Sequence, residues 1–158
     1  MNYEFRWAGM DDYPLLAEVM FDAVRNGPSP YNEAQRAAWL PNPHESPEWD
    51  ERLGLQQVIL AKHEDKTLGF MSLKDNGYID LAFVRPSARG TGLFREMLLH
   101  IEGRAASKGM SLLWVHASLS AQPAFSAAGF TIRSQEDFPI KAERLRRFEM
   151  DKTIRTQP

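Results

Sequence analysis

Cysteine is absent from the 158-residue chain. That removes disulfides, thiolate metal ligands and a thiol nucleophile together, and it agrees with a reducing compartment. No apolar run approaches the ~20 residues that a membrane-spanning helix needs. Residues 1–10 carry Glu4 and Arg6 and lack an apolar core, so no secretory leader is expected. Excess positive charge is missing too. Nineteen Lys and Arg face 21 Asp and Glu, a net charge of -2, which argues against a nucleic-acid protein, whose affinity would rest on clustered positive charge. The local run Arg144, Arg146, Arg147 reads as a solvated face. His44, His63 and His100 have no ligand spacing, so no metal site is expected. A chain of this size buries roughly 68–70% of its unfolded surface and needs no staple. What remains is a cytoplasmic enzyme or binding domain with neither nucleic acid nor membrane as partner.

What is present is periodicity. Residues 3–7 alternate weakly, as a strand does. Asp11 and Asp12, followed by Pro14, suit a helix start. Leu15, Leu16, Val19, Met20 and Val24 give that helix one apolar face, and Asn26-Gly27-Pro28-Ser29-Pro30 ends it. Helices are predicted over 32–40 and 47–53. Strands follow at 57–62, 67–73 and 78–84, with turns at Glu64-Asp65-Lys66 and Asp75-Asn76-Gly77. A helix over 93–107 buries Leu93, Phe94, Met97, Leu98 and Ile101 and closes on Lys108-Gly109. A strand at 112–117, a short helix at 123–128 and strands at 130–134 and 148–152 complete the chain. This is an α+β pattern: a mixed, mostly antiparallel sheet flanked by helices. The crossover helix makes strands 78–84 and 112–117 a central parallel pair. One domain is expected over 1–158, with helices in 1–56 and the sheet core in 57–152.

The most informative stretch runs from Val84 to Phe94. A strand ends, Arg89-Gly90-Thr91-Gly92 follows, and an amphipathic helix begins at Leu93. Helix N-termini present unpaired N–H groups and partial positive charge. Glycines let such a backbone approach a ligand without a Cβ in the way, so the combination suits a pyrophosphate. A dinucleotide fingerprint would need a third glycine where Arg95 stands. A Walker loop would need Gly-Lys followed by Ser or Thr, which does not occur. By itself the Gly-x-Gly is equally a plain turn capping a buried helix.

With its surroundings, the stretch resembles the GNAT superfamily of acyl-CoA N-acyltransferases. The signature is Arg or Gln, two residues, Gly, one residue, then Gly or Ala, after a strand ending Val-x-Pro. Arg89, Gly92 and Val84-Arg85-Pro86 match, whereas Phe94 departs from the small final residue. Phe94 either narrows the cofactor groove or packs below it. A second match is Ala117-Ser118 followed by Pro123-Ala124-Phe125-Ser126-Ala127-Ala128-Gly129-Phe130, similar to the superfamily's strand, short helix and Gly-Phe entry to the next strand. The resemblance covers residues 57–152, and 1–56 match in helix layout alone. Within the superfamily the chain looks most like small bacterial acetyltransferases.

The resemblance implies a GNAT-like fold, acetyl-CoA as cosubstrate, and direct attack of a primary amine, on a small molecule or peptide, on the thioester. It implies that the backbone of Ala82, Phe83 and Val84 meets the pantetheine arm and acetyl carbonyl. Arg89, Gly90, Thr91, Gly92, Leu93 and Phe94 would hold the pyrophosphate, and Ser118 would contact the cofactor. Homodimers are frequent in this superfamily, so a homodimer is compatible. The family's usual tyrosine acid falls on Phe125, which cannot donate a proton. For the base, Asp80 and His116 stand out: Tyr78, Asp80 and Ala82 share a strand face, and His116 has a suitable ordinary pKa near ~6.5. Each is also readable as a polar residue satisfied within the sheet. Tyr31, Trp39 and Trp49 lie on the segment that covers the acceptor side in the superfamily, where aromatic walls suit an amine-bearing substrate; as core residues they need no function. Phe125 and Phe94 also motivate an alternative, a non-catalytic acyl-CoA sensor that docks to a protein partner.

Overall fold

The structure is a computed structural model that describes residues 2–155. Its sheet has seven strands: β1 (Glu4–Trp7), β2 (Gln57–His63), β3 (Lys66–Leu73), β4 (Tyr78–Val84), β5 (Leu112–Ser118), β6 (Thr131–Ile140) and β7 (Glu143–Thr153). The spatial order is β1-β2-β3-β4-β5-β7-β6. Every pairing is antiparallel except β4 with β5. The mixed, mostly antiparallel sheet with a central parallel pair is therefore the observed architecture.

Five helices flank it: α1 (Tyr13–Arg25), α2 (Glu33–Trp39), α3 (Glu48–Gly54), α4 (Leu93–Ser107) and α5 (Gln122–Ala127). Strand alternation divides the core in two. On one face Ile59, Met71, Leu113 and Val115 pack with Met97, Leu98 and Ile101 of α4 and Phe125 of α5. On the other, Val58, Leu60, Phe70 and Leu81 pack with Leu16, Val19 and Met20 of α1 and with Trp49 and Leu53 of α3. Among the described residues no helix is long and apolar enough to cross a membrane.

Two local details differ from the sequence reading. Asp12 precedes α1 without capping it. Its carboxylate instead accepts two 2.7 Å bonds from Arg6 and one of 2.8 Å from the Gly9 N–H, closing the short turn before the helix. The last two strands are also far longer than 130–134 and 148–152. They form a hairpin that turns on Lys141, whose φ is 53°, and reaches from Thr131 to Thr153.

The parallel pair positions the site. Gly77 ends the turn before β4 with φ 86°, and a Cβ there would lie 2.3 Å from the Leu112 carbonyl oxygen. Only glycine lets β4 start so close to β5. Pairing then runs through Tyr78–Trp114 and Ile79–Val115 and stops. Residues 80–84 and 116–118 continue as strands without pairing to each other, so the sheet opens there into a wedge.

Candidate active site

β4 presents a free backbone edge to the wedge. The N–H groups of Leu81 and Arg85 both turn toward β3, to Ser72 Oγ at 3.1 Å and Leu68 O at 2.8 Å. By strand alternation the N–H and C=O of Ala82 and Val84 face the opening. Phe83 shares the register of Leu81 and Arg85, so its backbone faces β3. It offers its ring to the site rather than its amide.

A cleft of about 450 Å³ follows this edge to the start of α4. Ala82, Phe83 and Val84 line one wall, Ser118 and Ala121 the other, and Arg89, Gly90, Gly92, Leu93, Phe94 and Arg95 the far end. Gly90 and Gly92 have φ of 76° and 84°, and a Cβ on either would meet no atom of the chain within 4 Å. The glycines thus serve the left-handed backbone and leave open space before the helix. No side chain caps α4, so its first N–H groups are offered to the cleft. Arg89 Nη1 and Nη2 donate to Pro28 O at 2.9 Å and Ala23 O at 2.8 Å, tying the loop to the end of α1. The Thr91 hydroxyl donates to Ala88 O at 2.6 Å and holds the turn. An uncapped helix start, two unobstructed glycines and a strand edge with free amides suit a ligand that carries both a pyrophosphate and amide groups.

The two departures from the resembled pattern touch one another. Phe94 packs edge-on against Phe125 with ring centroids 4.9 Å apart, and Phe125 packs in turn on Phe130 at 5.0 Å. Phe125 is 1% exposed and does not line the cleft. The phenyl pair is a packing unit at the foot of α4.

A second cleft of about 330 Å³ meets the first at Trp39, Phe83 and Ser118. Tyr78, Asp80 and His116 line its floor, and Phe138, Leu145 and Arg147 of the hairpin form its wall. The Tyr78 hydroxyl lies 2.8 Å from His116 Nδ1. Burial, and secondarily Arg147, holds the His116 pKa below the ordinary histidine value; burial, and secondarily Asp80, pushes the Tyr78 hydroxyl up. At neutral pH the pair is an uncharged imidazole bonded to an uncharged phenol, able to accept a proton at one place and donate one at another.

Asp80 is differently engaged. Its oxygens accept from Arg52 Nε at 2.8 Å, Arg52 Nη2 at 3.0 Å and Gln56 Nε2 at 2.9 Å. Burial opposes ionisation, but these bonds hold the carboxyl below the usual carboxylate range. It anchors α3 to β4 as an anion, which is a poor state for taking up a proton.

The aromatic residues separate as well. Trp39 lines both clefts. Tyr31 lines the second, yet its hydroxyl is fully used, donating to Arg146 O at 2.5 Å and accepting from the Leu119 N–H at 3.0 Å. Trp49 lines neither cleft: it is 2% exposed, and its indole N–H donates to Tyr13 O at 2.7 Å. Its reach toward the site is indirect, through His44 stacked on it at 4.8 Å. Sequence reasoning passed over Arg52, Phe138 and Leu145, and it read Arg147 with Arg144 and Arg146 as a solvated face, whereas Arg147 lines the second cleft. The period of two along β7 was the available signal, since it puts Leu145 and Arg147 on one face and Arg144 and Arg146 on the other.

A sequence model described as the Acetyltransferase (GNAT) domain matches residues 28–154. An Escherichia coli K12 protein called uncharacterized N-acetyltransferase YafP is 30% identical over 136 residues, 85% of each chain. Among solved structures, a GCN5-related N-acetyltransferase from Rhodopseudomonas palustris superposes with a TM-score of 0.89 at 24% identity, covering 98% of this chain and 97% of that one. The phosphinothricin acetyltransferase of Sinorhizobium meliloti, solved in complex with AcCoA, superposes with a TM-score of 0.76 at 19% identity, covering 100% and 94%. These last two likenesses concern the fold, while the domain match and the Escherichia coli relative carry the assignment: the chain belongs to the GNAT family of acetyltransferases.

Proposed function

We propose that the protein transfers the acetyl group of acetyl-CoA to a primary amine on a small molecule, with donor in the first cleft and acceptor in the second. The observation that carries this reading is the meeting of the two clefts at Phe83 and Ser118, where β4 and β5 part. Acetyl-CoA supplies the activated acyl group. Backbone N–H groups from Gly90 to Phe94 hold its pyrophosphate, and the free edge of Ala82 and Val84 receives its amide arm. Backbone donors of this kind, aimed at a thioester oxygen, lower the barrier; loss of one oxyanion donor costs roughly 2.7–4 kcal/mol in other enzymes. The Ser118 oxygen accepts from the Ala121 N–H at 3.1 Å, which keeps the hydroxyl at the junction and leaves its proton free to donate.

His116 receives the proton lost by the attacking amine, and the Tyr78 hydroxyl beside it serves the departing thiolate. This assigns the acid to β4, since Phe125 has no hydroxyl and α5 offers none to either cleft. Asp80 positions Arg52 and does not act as base. His116→Gln and Tyr78→Phe test the reading by CoA release with an amine panel. Each should lower kcat by ~10²–10⁴-fold, the usual contribution of a positioned acid or base, while acetyl-CoA affinity is retained. Unchanged kcat in both variants would remove the pair from the mechanism. The Phe125 substitution favours a second reading, an acyl-CoA sensor without transfer. Turnover at ~1 s⁻¹ or faster would exclude it.

A further inference from the structure

The second cleft presents two guanidinium groups to its occupant, those of Arg52 and Arg147. Asp80 pairs with Arg52 and Glu136 with Arg147, Glu149 lies 3.8 Å from His116 Nε2, and the lining also holds His44, Tyr31 and Tyr78. Burial lowers the pKa of both histidines, so neither adds charge at neutral pH. A protonated amine gains nothing from two guanidinium groups.

Both arginines keep donors in reserve. Arg52 gives Nε and Nη2 to Asp80, and Nη1 has no protein partner among the described residues. Arg147 gives Nε to Glu136, and both of its Nη groups are without one. The Arg147 guanidinium lies 4.1 Å over the Phe138 ring, which fixes its plane at the cleft wall. Planar guanidinium forks match carboxylate geometry. The volume, about 330 Å³, lies at the low end for small-molecule sites and suits a molecule of amino-acid size.

We propose that the acceptor is an amine that also bears a carboxylate, an amino acid or close analogue, with the carboxylate held by Arg147 and Arg52. The proposal rests on the transfer reading above and adds the substrate class. A carboxylate there takes up the guanidinium donors that Asp80 and Glu136 leave unused.

The test compares the proteinogenic amino acids and short ω-amino acids with their carboxamides and with the corresponding amines lacking the carboxyl. CoA release is followed, and binding to the CoA-saturated protein is measured by calorimetry. At least one acid should exceed its amide by about tenfold or more in kcat/KM, the scale of one charge-assisted hydrogen bond, with the difference in KM. In Arg147→Met the acid-to-amide ratio should fall to near one, and in Arg147→Lys it should be intermediate. Acetyl-CoA affinity, measured in each variant, reports whether the fold and donor cleft are intact. Amides or simple amines that equal the acids, or a ratio unmoved by Arg147→Met, would overturn the proposal. If acetyl-CoA binds but no acid is acetylated or bound, the substrate class is wrong while the donor site stands. If acetyl-CoA does not bind, the transfer reading fails, and binding of the acids alone decides whether the arginine pair is an anion site.

Discussion

Tyr78 and His116 are 38 positions apart in sequence and meet because β4 and β5 are parallel neighbours. Their pairing makes a statement about pH. Burial lowers the His116 pKa, so its proton-accepting form persists below the ordinary histidine range. For an acceptor amine of low basicity, the acid limb of the kcat profile should lie below pH ~6.5, and activity should be flat above it until the amine or Tyr78 titrates. A limb above that value would assign the limb to another group. Phe125 gives a second prediction. It is 1% exposed and enclosed by Phe94 and Phe130. A tyrosine there buries a hydroxyl without reaching either cleft. Phe125→Tyr should therefore lose about 1–3 kcal/mol of stability to an unpaired polar group, with no rise in kcat. A large rise would show that α5 supplies the acid after all. The signature alone could not separate these outcomes, since it places a residue in the chain and not its ring in the core.

At the scale of elements, the loop before α4 was legible because its signal is local: a strand end, two glycines and a helix start within eleven residues. Gly92 sits at φ 84° with open space around its missing Cβ. Gly92→Ala should therefore cost about 1–2 kcal/mol in denaturant melts from backbone strain alone. The outer part of the β6–β7 hairpin, residues 135–147, was not legible. Its turn at Lys141-Ala142 carries no Gly, Asn or Asp, β6 is an edge strand exposed along most of its length, and Pro139 interrupts it at a place only an edge tolerates. Ion pairs of Arg146 with Asp137 and of Arg147 with Glu136 cross the hairpin, and this long-range register cannot be read from period or propensity. The hairpin is fastened to the helical side by Tyr31, and by Gln35 Nε2 donating to Arg144 O at 2.9 Å. Tyr31→Phe strands the half-buried Leu119 N–H and Arg146 carbonyl. It should cost about 1–3 kcal/mol and loosen the acceptor wall, raising the KM for the amine more than that for acetyl-CoA.

In the molecule as a whole, two clefts meet where β4 and β5 part and share Trp39, Phe83 and Ser118. Topology makes the wedge. Parallel pairing ends at Ile79–Val115, and the crossover through α4 carries the donor loop to its mouth. The sequence pattern pointed to the parallel pair and the loop because both depend on neighbours in the chain. The acceptor side depends on α3, β4, β5 and β7 coming together, so Arg52 and Arg147 emerged only with the fold. The Arg52–Asp80 pair is part of that assembly, and its stability has a defined pH sense. The folded carboxyl is held below its unfolded value, so the contribution is present above pH ~4 and is lost as pH falls through the folded pKa.

The central claim, that the opening between β4 and β5 with the start of α4 is a donor site, is tested most directly by calorimetric titration of acetyl-CoA into the wild-type protein and Gly92→Glu. The glutamate would project into the open space before α4 and oppose the pyrophosphate. The account predicts micromolar binding to the wild type, about -8 kcal/mol at a Kd of ~1 μM, and its loss in a folded variant. No binding by the folded wild type, or equal binding by both proteins, would contradict it.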